Sequence, residues 1–186
     1  MRKDEILDYI HKTFSEFPSY LKGGIVNEDD IEKCHDALKL FSENAWFEIK
    51  SEHLYHSEDA IRCITKSAFS YYIAAYLKLF IENYYDADAL VDTVSNMLTP
   101  PVRNGIPSTV WIEKNLDCLN LEKKAVIAFT FQYLSREYGD QKIENALSIY
   151  WGQYLNESFL KHELKENKTD HSSCVQPPSQ KRVRPK

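Results

Sequence analysis

The stretch Thr65–Tyr85, TKSAFSYYIAAYLKLFIENYY, constrains this chain more than any other. At 3.6 residues per turn it is apolar almost all the way round, with Phe69, Tyr72, Ile73, Tyr76, Leu77, Leu79, Phe80 and Ile81 covering most of the circumference. Only Ser67, Ser70, Ala74, Lys78 and Glu82 form a polar or small strip. A helix of this kind must be surrounded by other helices or by lipid. Its uncharged run, Ser67 to Leu77, is eleven residues, whereas a spanning helix needs roughly 20. The pattern therefore predicts an all-α fold: a compact bundle of about six helices around a buried central helix at about 65–83.

Length and composition agree with such a bundle. One domain is the natural expectation for 186 residues, and we place it at 1–160. A chain of this size buries enough surface to fold without a metal or disulfide staple. Cys34, Cys63, Cys118 and Cys174 are far apart and none forms a CxxC pair, so they read as reduced thiols in a cytoplasmic protein. The charged start, MRKDE, has no apolar signal-peptide core behind it. The net charge of −5 is unevenly spread. Residues 161–186 hold seven Lys/Arg and three Asp/Glu, leaving 16 against 25 in residues 1–160. The acidic body should repel nucleic acid and anionic membrane and attract basic partners.

In chain order, a first helix is expected from Lys3 to about Phe17, buried through Ile6, Ile10 and Phe14 and stopped by Pro18. Asn27 is a suitable N-cap for a second helix, followed by acids and a seam of Ile31, Cys34, Leu38 and Phe41. Cys34 and His35 cannot act as a thiol–base pair there, since neighbours on a helix point about 100° apart. Trp46, Phe47 and Ile49 suit a turn closing over the core. His53 and His56, with nearby carboxylates, present a weak metal-ligand pattern without a third ligand. We read them as a charged turn.

Thr65 is expected to cap the central helix, and Asp86 or Asp88 to open the next. Glu82, Asp86, Asp88 and Asp92 form an acidic cluster at that junction. It reads as a solvated helix start favoured by the macrodipole, with a partner-binding patch as the functional alternative. Residues 99–119 carry Pro100, Pro101, Gly105 and Pro107, which exclude a continuous helix and predict a long irregular connection. Within it Trp111 is the candidate for touching a partner. Asn120 should cap a second apolar helix, Leu121 to about Tyr138, closed by Gly139. A last helix is expected from Asp140 to about Leu155. Residues 161–186 are too polar and proline-rich to offset their ordering entropy, so a disordered basic tail is predicted.

The run Thr65-x-x-Ala68-Phe69-x-Tyr71-Tyr72-Ile73-Ala74-Ala75-Tyr76-Leu77 resembles the signature of an uncharacterised bacterial domain family, approximately T-x-E-A-F-x-Y-Y-L-P-A-Y-L. The blocks Leu119–Phe129 and Ala146-Leu147-x-x-Tyr150-Trp151 are similar too, so the likeness covers about residues 40–155. Ala74 stands where that family usually has proline, and Lys66-Ser67 replaces its acidic position. The resemblance implies the helical fold and a bacterial, cytoplasmic origin, and carries no reaction or catalytic residues.

No GxSxG, GxGxxG, Walker loop, HExxH or paired CxxC occurs, so no cofactor is expected. The favoured function is a protein-binding module with a basic partner, one version being an immunity protein that neutralises a toxin. The alternatives are an enzyme using His53, His56 or the acidic cluster, and nucleic-acid binding through the tail.

Overall fold

A computed structural model describes residues 1–15, 24–26, 31–57 and 59–160. The expected tail at 161–186, the Pro18 stop and the Asn27 cap lie outside the described residues. The fold is all-α, with nine α-helices and one two-stranded hairpin among the described residues. Three short helices raise the count above the expected six. None of the described helices is long and apolar enough to cross a membrane.

The central helix, α5 (Lys66–Glu82), forms where the sequence places it. Thr65 caps it, its hydroxyl oxygen accepting from the Ala68 N–H at 3.3 Å. From Ala68 to Ile81 every residue except Lys78 is buried. Even the small strip is enclosed at Ser70 and Ala74. The helix continues unbroken through Ala74, as expected of a residue that keeps its backbone N–H and adds no ring. Buried apolar residues from Ile6 to Leu160 form a contiguous core around it.

Two long neighbours enclose α5. Helix α1 (Lys3–Thr13) packs through Ile6 and Ile10. Helix α8 (Leu121–Tyr138) buries the unbroken run Ala125–Phe131. Asn120 caps α8 by accepting from the Lys123 N–H at 2.9 Å, and Gly139 ends it at φ 67°, where a Cβ is disfavoured. Lys123 donates from Nζ to the Ser70 carbonyl at 2.8 Å, tying α8 to α5.

Helix α1 stops at Thr13, short of the expected Phe17, with Phe14 turned into the core as its C-cap. Its carbonyl accepts from the Trp46 indole at 2.8 Å, so the Trp46 turn closes over the core as anticipated. Helix α2 spans only His35–Ser42, with residues 31–34 in turns. Its buried side is Ala37, Leu40 and Phe41, and Ile31 is exposed, which corrects the expected seam. The short helices α3 (Ser51–Tyr55) and α4 (Ala60–Cys63) lead into α5.

The cysteine reading is corrected here. Cys34 and Cys63, 29 positions apart in sequence, are joined in a disulfide with Cα atoms 5.6 Å apart. The turn before α2 and the end of α4 meet in space, which spacing alone could not reveal. Cys118 is a free thiol.

Helix α6 (Asp88–Leu98) follows a 3-10 turn at Tyr84–Ala87. The segment expected to be irregular is ordered into secondary structure. Strands β1 (Val102–Arg103) and β2 (Ile106–Pro107) pair antiparallel around Asn104 and Gly105, both at positive φ. Asn-Gly at those two positions is the preferred two-residue hairpin turn. Ser108 then caps helix α7 (Thr109–Leu116), accepting from the Trp111 N–H at 3.3 Å. Proline excluded a continuous helix, but not a hairpin followed by a freshly capped one.

Helix α9 (Gln141–Ile149) packs on α8 and ends earlier than expected, in a 3-10 turn at Trp151–Tyr154. The break lets the Trp151 indole donate to the Leu98 carbonyl at 3.0 Å in the core. Gly152 permits the tighter turn, since a Cβ there would stand 2.9 Å from the Leu147 carbonyl oxygen.

Candidate functional site

The end of α5, the 3-10 turn after it and the α8–α9 junction build one surface. Asp140 is the N-cap of α9, and one of its carboxylate oxygens accepts from the N–H groups of Lys142 at 2.8 Å and Ile143 at 3.1 Å. Its other oxygen accepts from the Tyr84 hydroxyl. That bond holds the Tyr84 ring flat on Tyr138, with centroids 4.0 Å apart and planes within 3°. Tyr85 meets the same pair edge-on, 5.3 Å from Tyr138 and 5.8 Å from Tyr84. Tyr85 as a residue is 80% exposed. Tyr85 is therefore an aromatic side chain in open water, held from behind by two stacked neighbours.

The acidic cluster is sorted by its partners. Glu82 pairs with Lys78 at 2.9 Å, one turn back on α5. Asp92 pairs with Lys142 of α9. Asp86 stays exposed beside Tyr85, and burial together with the Asp86 carboxylate raises the Tyr55 phenol above its ordinary pKa. The Asp88 side chain lies outside the described ones. Asp86 is thus the candidate carboxylate that the exposed aromatic ring accompanies.

Trp111 belongs elsewhere. It is half-buried on α7 and lines a groove of about 430 Å³ with Ile61, Ile64, Phe69, Met97 and Asn115. The groove meets the far end of α6, about 14 Å along the helix from its first residue at 1.5 Å per residue. Asn115 donates from its side-chain amide to the Trp111 carbonyl at 2.8 Å, fixing the helix turn that carries the indole. On the hairpin and α7, Val102, Ile106 and Val110 are exposed.

His53 and His56 do share the wall of one groove, with Asp36, Lys39 and Glu43. Both are exposed. Among the described residues no group of three His, Cys, Asp or Glu side chains gathers at metal-binding distance.

The residues that sequence reasoning missed are Tyr84, Tyr85, Tyr138 and Asp140. The signal was partial: Tyr84-Tyr85-Asp86 places aromatics next to an acid, and Asp140 reads as a cap after Gly139. Nothing local joins two segments 56 residues apart.

Fold and surface together define an all-α protein that presents an exposed aromatic–acidic face. No family model, curated protein or solved structure matches the chain.

Proposed function

We propose that this chain is a protein-binding module whose partner is basic, and that Tyr85 with Asp86 forms the centre of its contact surface. The supporting observation is the exposed Tyr85 ring braced by the Tyr84–Tyr138 stack. Tyrosine is enriched among residues that dominate binding energies. A ring already resting against two neighbours has less freedom to lose on binding, so more of the contact energy is retained. The surplus of carboxylates in residues 1–160 would steer a basic partner and speed its association. In the narrower form of this proposal the chain is a bacterial, cytoplasmic immunity protein and the partner is a basic toxin.

The test uses the full chain and its Tyr85→Ala and Asp86→Asn variants. Partners captured from host extract are identified, then titrated in purified form by calorimetry. The expected result is one basic protein whose affinity falls about 30-fold or more with Tyr85→Ala, the factor a 2 kcal/mol hot spot corresponds to. Asp86→Asn should weaken binding less, and mainly at low salt. A partner that binds both variants unchanged refutes this placement of the site.

A further inference from the structure

We propose that the Cys34–Cys63 bond is a thiol–disulfide exchange site, opened by a low-molecular-weight thiol of the glutathione class that attacks the Cys63 sulfur. A labile disulfide must lie within reach of a reductant. This one forms part of the wall of an open pocket of about 500 Å³, together with Lys33, Asp36, His56, Ser57 and Asp59. The pocket is large enough for a small thiol, and its lining is polar and carries both signs of charge, matching a zwitterionic peptide thiol. Access is asymmetric. Cys34 is buried at 8% exposure, whereas Cys63 is more open.

The two cysteines also differ as leaving groups. Cys34 is the N-cap residue of α2, where the peptide dipoles favour a negative charge. Cys63 ends α4, a single turn too short to offer a comparable array of peptide dipoles. Exchange is faster when the departing sulfur is the better stabilised thiolate. Attack at Cys63 with departure of Cys34 satisfies both access and leaving-group stability.

The chemistry balances without an outside oxidant. The incoming thiolate forms a bond to the Cys63 sulfur as the Cys34–Cys63 bond breaks. Cys34 leaves with the electron pair and takes a proton from solvent. A second small thiolate then attacks the small-molecule sulfur of the adduct and releases Cys63. Two small thiols become one disulfide, and the protein disulfide becomes two thiols. The position gives this exchange structural reach. Ile64, next in the chain, bridges to Val26, and the Thr65 N–H donates to the Ile25 carbonyl at 2.8 Å just where α5 begins. A reversible bond would also be compatible with the cytoplasmic location proposed above.

The test equilibrates the full native chain in buffers of graded reduced and oxidised glutathione. It is then quenched with an alkylating agent without denaturant and mapped by peptide mass. Cys34 and Cys63 should gain label together as the buffer becomes reducing, and at partial reduction the glutathione adduct should sit on Cys63. Cys118, whose thiol is pushed up chiefly by burial, is read separately as an internal control. The proposal falls if the pair resists glutathione until denaturant is added. It falls equally if both thiols label before any reductant, or if the adduct sits mainly on Cys34.

Discussion

Tyr72 and Tyr76 lie one turn apart on α5, both with no exposed surface, and they should respond oppositely to loss of the hydroxyl. The Tyr72 hydroxyl donates to the Phe41 carbonyl, with the Asn44 carbonyl 3.2 Å away as a second acceptor. Phe41 is in the last turn of α2, where carbonyls have no partner within the helix. Tyr72→Phe therefore strands a buried acceptor, at about 1–3 kcal/mol. The Tyr76 hydroxyl has no hydrogen-bond partner among the described residues. Tyr76→Phe removes a polar atom whose desolvation was never compensated, and leaves a gap of one oxygen. Its expected effect runs from neutral to a gain of about 1 kcal/mol. Urea unfolding followed by far-UV circular dichroism, with the disulfide intact, measures both. For a domain near 150 residues, Tyr72→Phe should lower Tm by about 2–12 °C. The slope of free energy against urea should stay constant in each variant, so that midpoint shifts report stability. The reasoning is refuted if Tyr76→Phe loses more than about 1 kcal/mol, or if Tyr72→Phe is neutral.

Thr65→Ala removes the side-chain cap of α5 and should cost about 1 kcal/mol in the same unfolding assay, whereas Thr65→Ser should retain most of it. Alkaline titration gives an independent check. Burial raises the Tyr72 phenol to about 12, its neighbour Tyr71 adding to the effect, and burial raises Tyr76 as well. Their folded-state values exceed the unfolded value near 10, so this contribution is complete below pH 10 and is lost as pH rises toward and through the folded values. Unfolding midpoints should fall steeply above about pH 10, and in Tyr72→Phe less steeply.

The elements legible in the sequence were those whose signals are local. Thr65, Asn120 and Gly139 mark helix ends by side-chain chemistry or backbone freedom, and the structure places all three where that chemistry predicts. Two local signals were present and missed. Asn104-Gly105 announces a hairpin, and Ser108 announces a helix after it, yet the surrounding prolines read as one long irregular connection. The early end of α9 was not legible, because it depends on the Trp151 indole finding the Leu98 carbonyl 53 positions away. The same holds for the site. Glu82, Asp86 and Asp92 could be seen as a cluster of charge, and Lys78 is a local partner for Glu82, but the pairing of Asp92 depends on Lys142 arriving from α9. Tyr85 reads as one aromatic among many until Tyr84 and Tyr138 are stacked behind it. The Cys34–Cys63 bond was hidden for the same reason, being a meeting of two distant turns.

The enclosure of α5 has a consequence for synthesis. The chain emerges from its N-terminus, so residues 66–82 leave the ribosome well before 121–138, which must cover them. At about 5–20 residues per second the interval lasts several seconds. Throughout it the nascent chain carries a nearly solid apolar cylinder that only α1 and the segments near it can shield. A fragment ending before residue 121 would keep that liability permanently and should precipitate more readily than a chain that includes residues 121–138.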